Sequence, residues 1–344
     1  MLENDARSFD LEVSEDQAPP DWDSCVEALG GGPFHCADWA RYRGSTPGKR
    51  PLFFTWFAPE AVVPAAVALA IERAIPGPFK ARSIEFDAPP ATRIDPRQFS
   101  PSIERWLGSQ GTVADAWLGT FDARWPWLDN ASPVTRVEFR VTPATENELL
   151  ARMRTLARRS LRRAQRSGIE VEPESPRLQE FVDLYGQTLI RLRHTKGVST
   201  MLVDPDGFAR QLALLTEAGV AKLFMASAAG APAAGALFTV FGGRAFYLIG
   251  GSNERGRETG AMTAVLFEAM RDFSVQEFEC INLGGVSADA HLPSSSEHGL
   301  YAFKRGLGAT AHPCRDVSIV VRPVRRHLIR TARVARSILL RLAS

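Results

Sequence analysis

The chain has 344 residues, 45% hydrophobic and 23% charged, with a formal net charge of +2. That composition excludes a disordered chain, a coiled coil and a collagen, and the length suits two domains of ordinary size. No run reaches the roughly 20 apolar residues that span a bilayer, the acidic start lacks the apolar core of a signal peptide, and the 4 cysteines and 6 histidines show no zinc-ligand spacing. A cytoplasmic protein without disulfides or metal is expected.

Residues 1–20 read as a disordered lead. Residues 21–43 read as helical, with Trp22, Val26, Leu29, Phe34, Trp39 and Tyr42 as apolar positions. PLFFTWF (51–57) and AVVPAAVALAIER (61–73) read as strands joined by a short turn, and SIEF supplies another strand. Residues 100–111 predict a helix with Ser100 as N-cap, Pro101 at its first position and Gly111 beyond its end. VADAWLGTF then reads as a strand and WPWLDNASP as a loop.

A second block follows. RVEFRV (136–141) predicts a strand, and Thr145 with Glu148 a capping box opening one helix as far as Ser167. IEVEPE is a strand. Residues 178–197 form an amphipathic helix carrying Phe181, Leu184, Tyr185, Thr188 and Leu192 on one face, and Asp206 caps the next helix. Three strands (AKLFMASAAG, APAAGALFTVFGG, RAFYLIGGS) make a meander. Loop NERGRETG precedes the helix AMTAVLFEAMRDF. The strand FECINLGG, a long polar loop, the segment YAFKRGLG, a last strand DVSIVVRP and an arginine-rich amphipathic tail close the chain. The first block repeats the coarse outline of the second, in pattern and not in sequence. The domains expected are 21–135 and 136–322, followed by a basic tail helix at 323–344.

Charge is unevenly placed. Arg158, Arg159, Arg162, Arg163 and Arg166 lie in an acid-free run, with Arg158, Arg162 and Arg166 spaced i, i+4, i+8 on one helix face. The tail holds Arg325, Arg326, Arg330, Arg333, Arg336 and Arg341, again without an acid. Two such runs in a chain of balanced charge point to a polyanion: phosphates, tRNA or an anionic membrane surface. The tail, apolar on one side and cationic elsewhere, suits peripheral attachment at the inner membrane face, or packing back on the domain.

Three local patterns carry chemistry. Strand RAFYLIGGS, a loop bearing Arg255, Arg257 and Gly260, and a helix N-terminus together form an anion cradle, where free N–H groups and guanidinium groups meet a phosphate. INLGG ends a strand on Gly284 and Gly285, letting a ligand approach the backbone, and Lys304 soon after supplies one compact ammonium suited to a phosphate or an oxyanion. The arginine helix is the third.

In this order these segments resemble the FemAB-like branch of the GNAT acyltransferase superfamily, also called BioF2-like acetyltransferases. The matching stretches are RRAQRSGIEV, LYGQTLIRL, GAPAAGALFTVFGGRAFYLIGGS, AMTAVLFEAMRDF, INLGGV and YAFKRGLGA, with FHCADWARYRG, PLFFTWF, AVVPAAVALAIER and IERWLGSQGTVADAWLG in the first half. The resemblance spans roughly residues 30–322. It implies an α/β (α+β) fold of two tandem GNAT-like domains with mixed, largely antiparallel sheets and a cleft between them. It also implies an N-acyltransferase among relatives of the peptidoglycan bridge-forming aminoacyltransferases. Phe303 and Lys304 match the family's pair near the donor, Arg191 with Thr188 a position tied to an acceptor phosphate, and Asp95 an acidic residue after a Gly-Pro segment that here reads APPATRID. No covalently bound cofactor is implied; the donor is aminoacyl-tRNA or acyl-CoA. Acyl-CoA enzymes usually carry Arg/Gln-x-x-Gly-x-Gly/Ala where strand meets helix. Here Met262 ends that motif and crowds a pyrophosphate, which favours aminoacyl-tRNA. The acceptor expected is a phosphate-bearing small molecule or a cell-envelope precursor. The alternatives are an acyl-CoA-dependent N-acetyltransferase acting on a sugar amine or small metabolite, and a non-catalytic GNAT-like scaffold on membrane or RNA.

Overall fold

A computed structural model describes residues 9–75, 80–119, 131–196, 201–324 and 326–327. The chain divides into two compact units, Met1–Thr135 with Cys314–Ser344, and Arg136–Pro313.

The first unit begins with strand β1 (Asp10–Glu15). This corrects the expectation of disorder through residue 20: Leu11 and Val13 alternate onto the core, and β1 pairs antiparallel with β2 (Lys49–Phe57). The helix expected over 21–43 is two helices, α1 (Trp22–Ala28) and α2 (Ala37–Gly44). Gly30 at φ 73° and a 3-10 turn at Pro33–His35 divide them. Strands β3 (Pro64–Ile75), β4 (Ala81–Phe86) and the short β5 (Ala91–Thr92) follow, then α3 (Ser100–Ser109) and β6 (Val113–Leu118). Ser100 is the first helical residue rather than the cap, and Phe99 precedes it. Leu52, Phe54 and Trp56 of β2 and Ala66, Ala68 and Ala70 of β3 repeat every second residue into one core with Phe99, Ile103 and Leu107. On the opposite face of β2, Phe53 meets the Trp22 ring edge-on at 5.0 Å.

Strand β7 (Ala131–Val141) leads into the second unit, which begins at Arg136. The single helix expected from Thr145 to Ser167 is α4 (Glu146–Arg152) and α5 (Thr155–Arg166). The Thr145–Glu148 capping box is present. The break falls where Met153 buries its side chain and the Arg154 N–H donates to Gly306 O at 2.9 Å. Strand β8 (Ile169–Glu172), α6 (Leu178–Lys196) and α7 (Pro205–Glu217) come next. Asp204, not Asp206, caps α7, its carboxylate accepting Gly207 N–H at 2.8 Å. The meander is β9 (Ala221–Ala228), β10 (Ala231–Phe241) and β11 (Arg244–Ser252). Segment NERGRETG, expected as a loop, folds into α8 (Glu254–Thr259), followed by α9 (Ala261–Val275). Strand β12 (Cys280–Ser287) and α10 (His298–Gly306) complete the unit. The last strand, β13 (Thr310–Val320), runs back: Val317–Val320 pair antiparallel with Leu118–Asp115 of β6. Residues 314–322 therefore belong with the first unit and do not close the second.

The strand order is β1-β2-β3-β4-β6-β13 in the first unit, with β5 on β3, and β7-β12-β11-β10-β9-β8 in the second. Pairing is antiparallel except at β4–β6 and β11–β12. In the second unit α9 packs against β9 and β10, and α6 against β10 and β11. Both faces of the sheet are thus covered. The tail beyond residue 327 lies outside the described residues.

Candidate functional site

The parallel pair of the second unit comes apart. Strands β11 and β12 are in register only from Arg244–Phe246 to Cys280–Asn282. In the first unit the corresponding pair stays joined from Arg82–Val113 to Phe86–Leu118. Along the fork Phe246, Tyr247, Leu248, Ile249 and Gly250 are only partly buried. Each arm carries an irregularity on its outer side. Leu248 is an extra residue against β10, and Leu283 with Gly284 stands opposite Phe139 alone on β7. Such bulges re-aim backbone groups, and they concentrate beside active sites.

Lys304 reaches this fork from α10. It is 5% exposed, its Nζ donates to Gly285 O at 3.1 Å, and it lies 5.7 Å from the centre of the Phe139 ring. Burial lowers its pKa to about 8, which Glu297 opposes and Arg136 reinforces. At neutral pH it is still an ammonium. Among the described residues one of its three N–H donors has a protein acceptor, leaving two to point elsewhere. Gly284 stands beside it at φ 80°, a conformation that favours glycine, and a Cβ there would be 3.4 Å from Nζ, in contact with it. The N–H of Gly284 is already donated to Asn282 Oδ1 at 2.7 Å, so it offers nothing to an oxyanion. Burial pushes the Tyr247 phenol up, keeping it a neutral hydroxyl beside the fork. Neither Asn282 nor Tyr247 was singled out by the sequence. The Asn-x-Gly spacing before a second glycine was the available signal for Asn282.

The other expected site residues are placed as follows. Phe303 is half-buried and packs on the core. Arg255 and Arg257 are exposed on α8, which touches α5. Gly260, expected at a phosphate cradle, lies in a helix–helix contact. It sits at φ 81° under Ser160 of α5, where a Cβ would lie 2.8 Å from the Ser160 carbonyl oxygen, and Ser160 Oγ is 3.1 Å from Thr263 Oγ1. Ser160 of α5 therefore packs against the start of α9. Thr188 Oγ1 accepts Ser252 N–H at 2.9 Å and lies 3.3 Å from Ser252 O, tying α6 to the end of β11. Arg191, one turn on, is half-buried, and its Nε has no partner among the described residues. Asp95 is exposed in the first unit, where its carboxylate accepts Arg97 N–H at 3.0 Å.

Helix α5 buries Ala157, Leu161 and Ala164 and turns its arginines outward. Arg159, Arg162, Arg163 and Arg166 are exposed and Arg158 half-buried, with no ion pair to any of them among the described residues. A hollow of about 350 Å³ is lined by Arg159, Arg162, Gln165 and Arg166. Among the described residues no helix is long and apolar enough to cross a membrane.

Residues 151–305 match the family model described as the acetyltransferase (GNAT) domain. No functionally curated protein matches the chain. Among solved structures, FemX aligns with a TM-score of 0.70 at 14% identity, over 92% of this chain and 100% of that one. L-PGS from Bacillus licheniformis aligns with a TM-score of 0.53 at 15% identity, over 96% of this chain and 99% of its own. A tandem GNAT protein from the clavulanic acid biosynthesis pathway aligns with a TM-score of 0.52 at 13% identity, over 91% of this chain and 99% of its own. At these identities the likeness is one of fold: two GNAT-like modules in tandem.

Proposed function

We propose that this protein, whose residues 151–305 match the GNAT acetyltransferase domain model and whose fold is that of tandem GNAT-like proteins, is an acyltransferase that moves an aminoacyl group from aminoacyl-tRNA to an amine of a cell-envelope precursor or related metabolite. The observation that carries the chemistry is the buried Lys304 ammonium at the fork between β11 and β12. The neutral amine of the acceptor attacks the ester carbonyl of the donor. A C–N bond forms, the carbonyl oxygen becomes an oxyanion, and the ammonium proton of the adduct passes to solvent or a substrate carboxylate. Collapse expels the ribose oxygen of the tRNA, which takes up a proton. Lys304 stabilises the oxyanion with its two remaining N–H donors, in surroundings where burial strengthens each charge-assisted bond. Holding both substrates at the fork supplies the remaining rate advantage through proximity. No protein nucleophile is required.

Two features favour aminoacyl-tRNA over acyl-CoA. Ser160 of α5 stands against the start of α9, where the pyrophosphate of an acyl-CoA would meet the backbone. The arginines of α5 present an acid-free cationic surface to a polyanion. Arg191 and its buried Nε suit a phosphate of the acceptor. The test replaces Lys304 with Ala and measures single-turnover transfer from a panel of aminoacyl-tRNAs and acyl-CoAs to amine acceptors. A fall of roughly 10²–10³-fold in rate, with the fold retained, is expected. Unchanged transfer refutes the assignment, and transfer from acyl-CoA alone replaces the donor.

A further inference from the structure

Asn282 is 1% exposed and stands at the last position where β12 is in register with β11. Its Oδ1 accepts the Gly284 N–H, which also establishes which amide atom is the oxygen. An Asn side chain bonded to the backbone two residues on bends an extended chain. The chain bends here: Asn282 pairs with Arg140 and Gly285 with Glu138, leaving two residues of β12 against one of β7. The carbonyl that follows the bend, that of Gly285, receives the Lys304 Nζ. Two adjacent glycines have too much conformational freedom to hold such a carbonyl in place unaided. The Nδ2 of Asn282 is buried without a partner among the described residues, so the side chain is held through its oxygen.

We propose that Asn282 is a positioning residue for Lys304: by pinning the amide of Gly284 it sets the bulge that turns the Gly285 carbonyl toward the ammonium, and so aims the two remaining N–H donors of Lys304 into the fork. This rests on the reading of Lys304 as the oxyanion donor. Asn282 itself touches no substrate. It acts on where the lysine points and on the environment in which that lysine titrates.

The experiment uses the full-length protein. Asn282→Leu keeps the size of the side chain and removes both polar atoms; Asn282→Ala takes its place if the leucine variant does not fold. Asn282→Asp restores the acceptor oxygen while removing the Nδ2 donor. Lys304 is labelled with acetic anhydride across a pH series in the unliganded protein and quantified by mass spectrometry, with Lys222 as the internal reference. In N282L the midpoint of Lys304 labelling should move while that of Lys222 stays. Its kcat should fall by about tenfold or more with KM near wild type, and N282D should recover kcat to within about threefold. An unmoved Lys304 midpoint in N282L overturns the proposal, as does an N282D variant as slow as N282L. A moved midpoint with undiminished turnover, in N282L and in K304A alike, leaves the positioning intact and removes the catalytic reading of Lys304.

Discussion

Ser160 and Gly260, a hundred residues apart in sequence, meet backbone to backbone: a Cβ on residue 260 would stand 2.8 Å from the Ser160 carbonyl oxygen. Helix α5 crosses the start of α9 at this point, and the Ser160 and Thr263 hydroxyls bond across it at 3.1 Å. The glycine that sequence alone offers to a phosphate is thus held in a close helix contact.

Gly260→Ala should therefore unfold the protein more easily. A side chain at φ 81° is strained and has no space. The expected loss is about 2–4 kcal/mol, read by urea denaturation of the purified variant. A variant as stable as wild type but weaker in donor binding would restore the phosphate role.

Lys304 makes stability depend on alkaline pH. Burial lowers its pKa to about 8 from an ordinary 10.5, so the unfolded chain binds more protons between those values and stability rises with pH across them. Below about pH 8 both states are protonated, and the cost of the buried charge is present in full. Against Lys304→Met, the wild-type protein should gain up to about 3 kcal/mol over that window. Urea titrations at a series of pH values check this, and a constant gap between the two proteins contradicts it.

The same proton governs rate. If the ammonium form stabilises the oxyanion, kcat/KM should decline above about pH 8. Lys304→Arg, charged at every accessible pH, should be slower overall because a planar fork fits the space of a compact ammonium poorly, and should lack the descending limb. A limb that persists in the arginine variant belongs to another group.

The α5 surface predicts a salt signature. Replacing Arg159, Arg162 and Arg166 together with Gln leaves Ala157, Leu161 and Ala164 in the core, so stability should change little. The slope of log K against log salt for tRNA binding should flatten by about 2–3. Filter binding over a salt series measures it; an unchanged slope places the RNA elsewhere.

Thr188 separates structure from binding. Its hydroxyl takes the Ser252 N–H at 2.9 Å. Thr188→Val should cost about 1–3 kcal/mol by stranding that N–H, while KM for the acceptor changes little. A KM effect without a stability loss would return Thr188 to the acceptor site.

Much of this was legible in the residues. The alternation of Leu52, Phe54 and Trp56, the Thr145–Glu148 box and the apolar stripe of α6 each announce an element through local periodicity or capping. Less legible were features that need a distant partner. Residues 10–15 become a strand only because β2 offers an edge, and the helix from Thr145 breaks because Arg154 N–H finds Gly306 O. The arginine spacing on α5 foresaw its outward faces. It carried no sign that Ser160, on the same helix, would pack against the start of α9.

From its sequence alone this protein is a two-part α/β chain with a basic helix and a Phe-Lys pair, because short-range patterning determines helix, strand and surface charge. Only the tertiary structure decided that β11 and β12 part after Phe246 and Asn282, that Lys304 is buried where they part, and that Gly260 faces a helix. Strand register and the depth of one ammonium depend on contacts between residues far apart in the chain, and no local pattern encodes them.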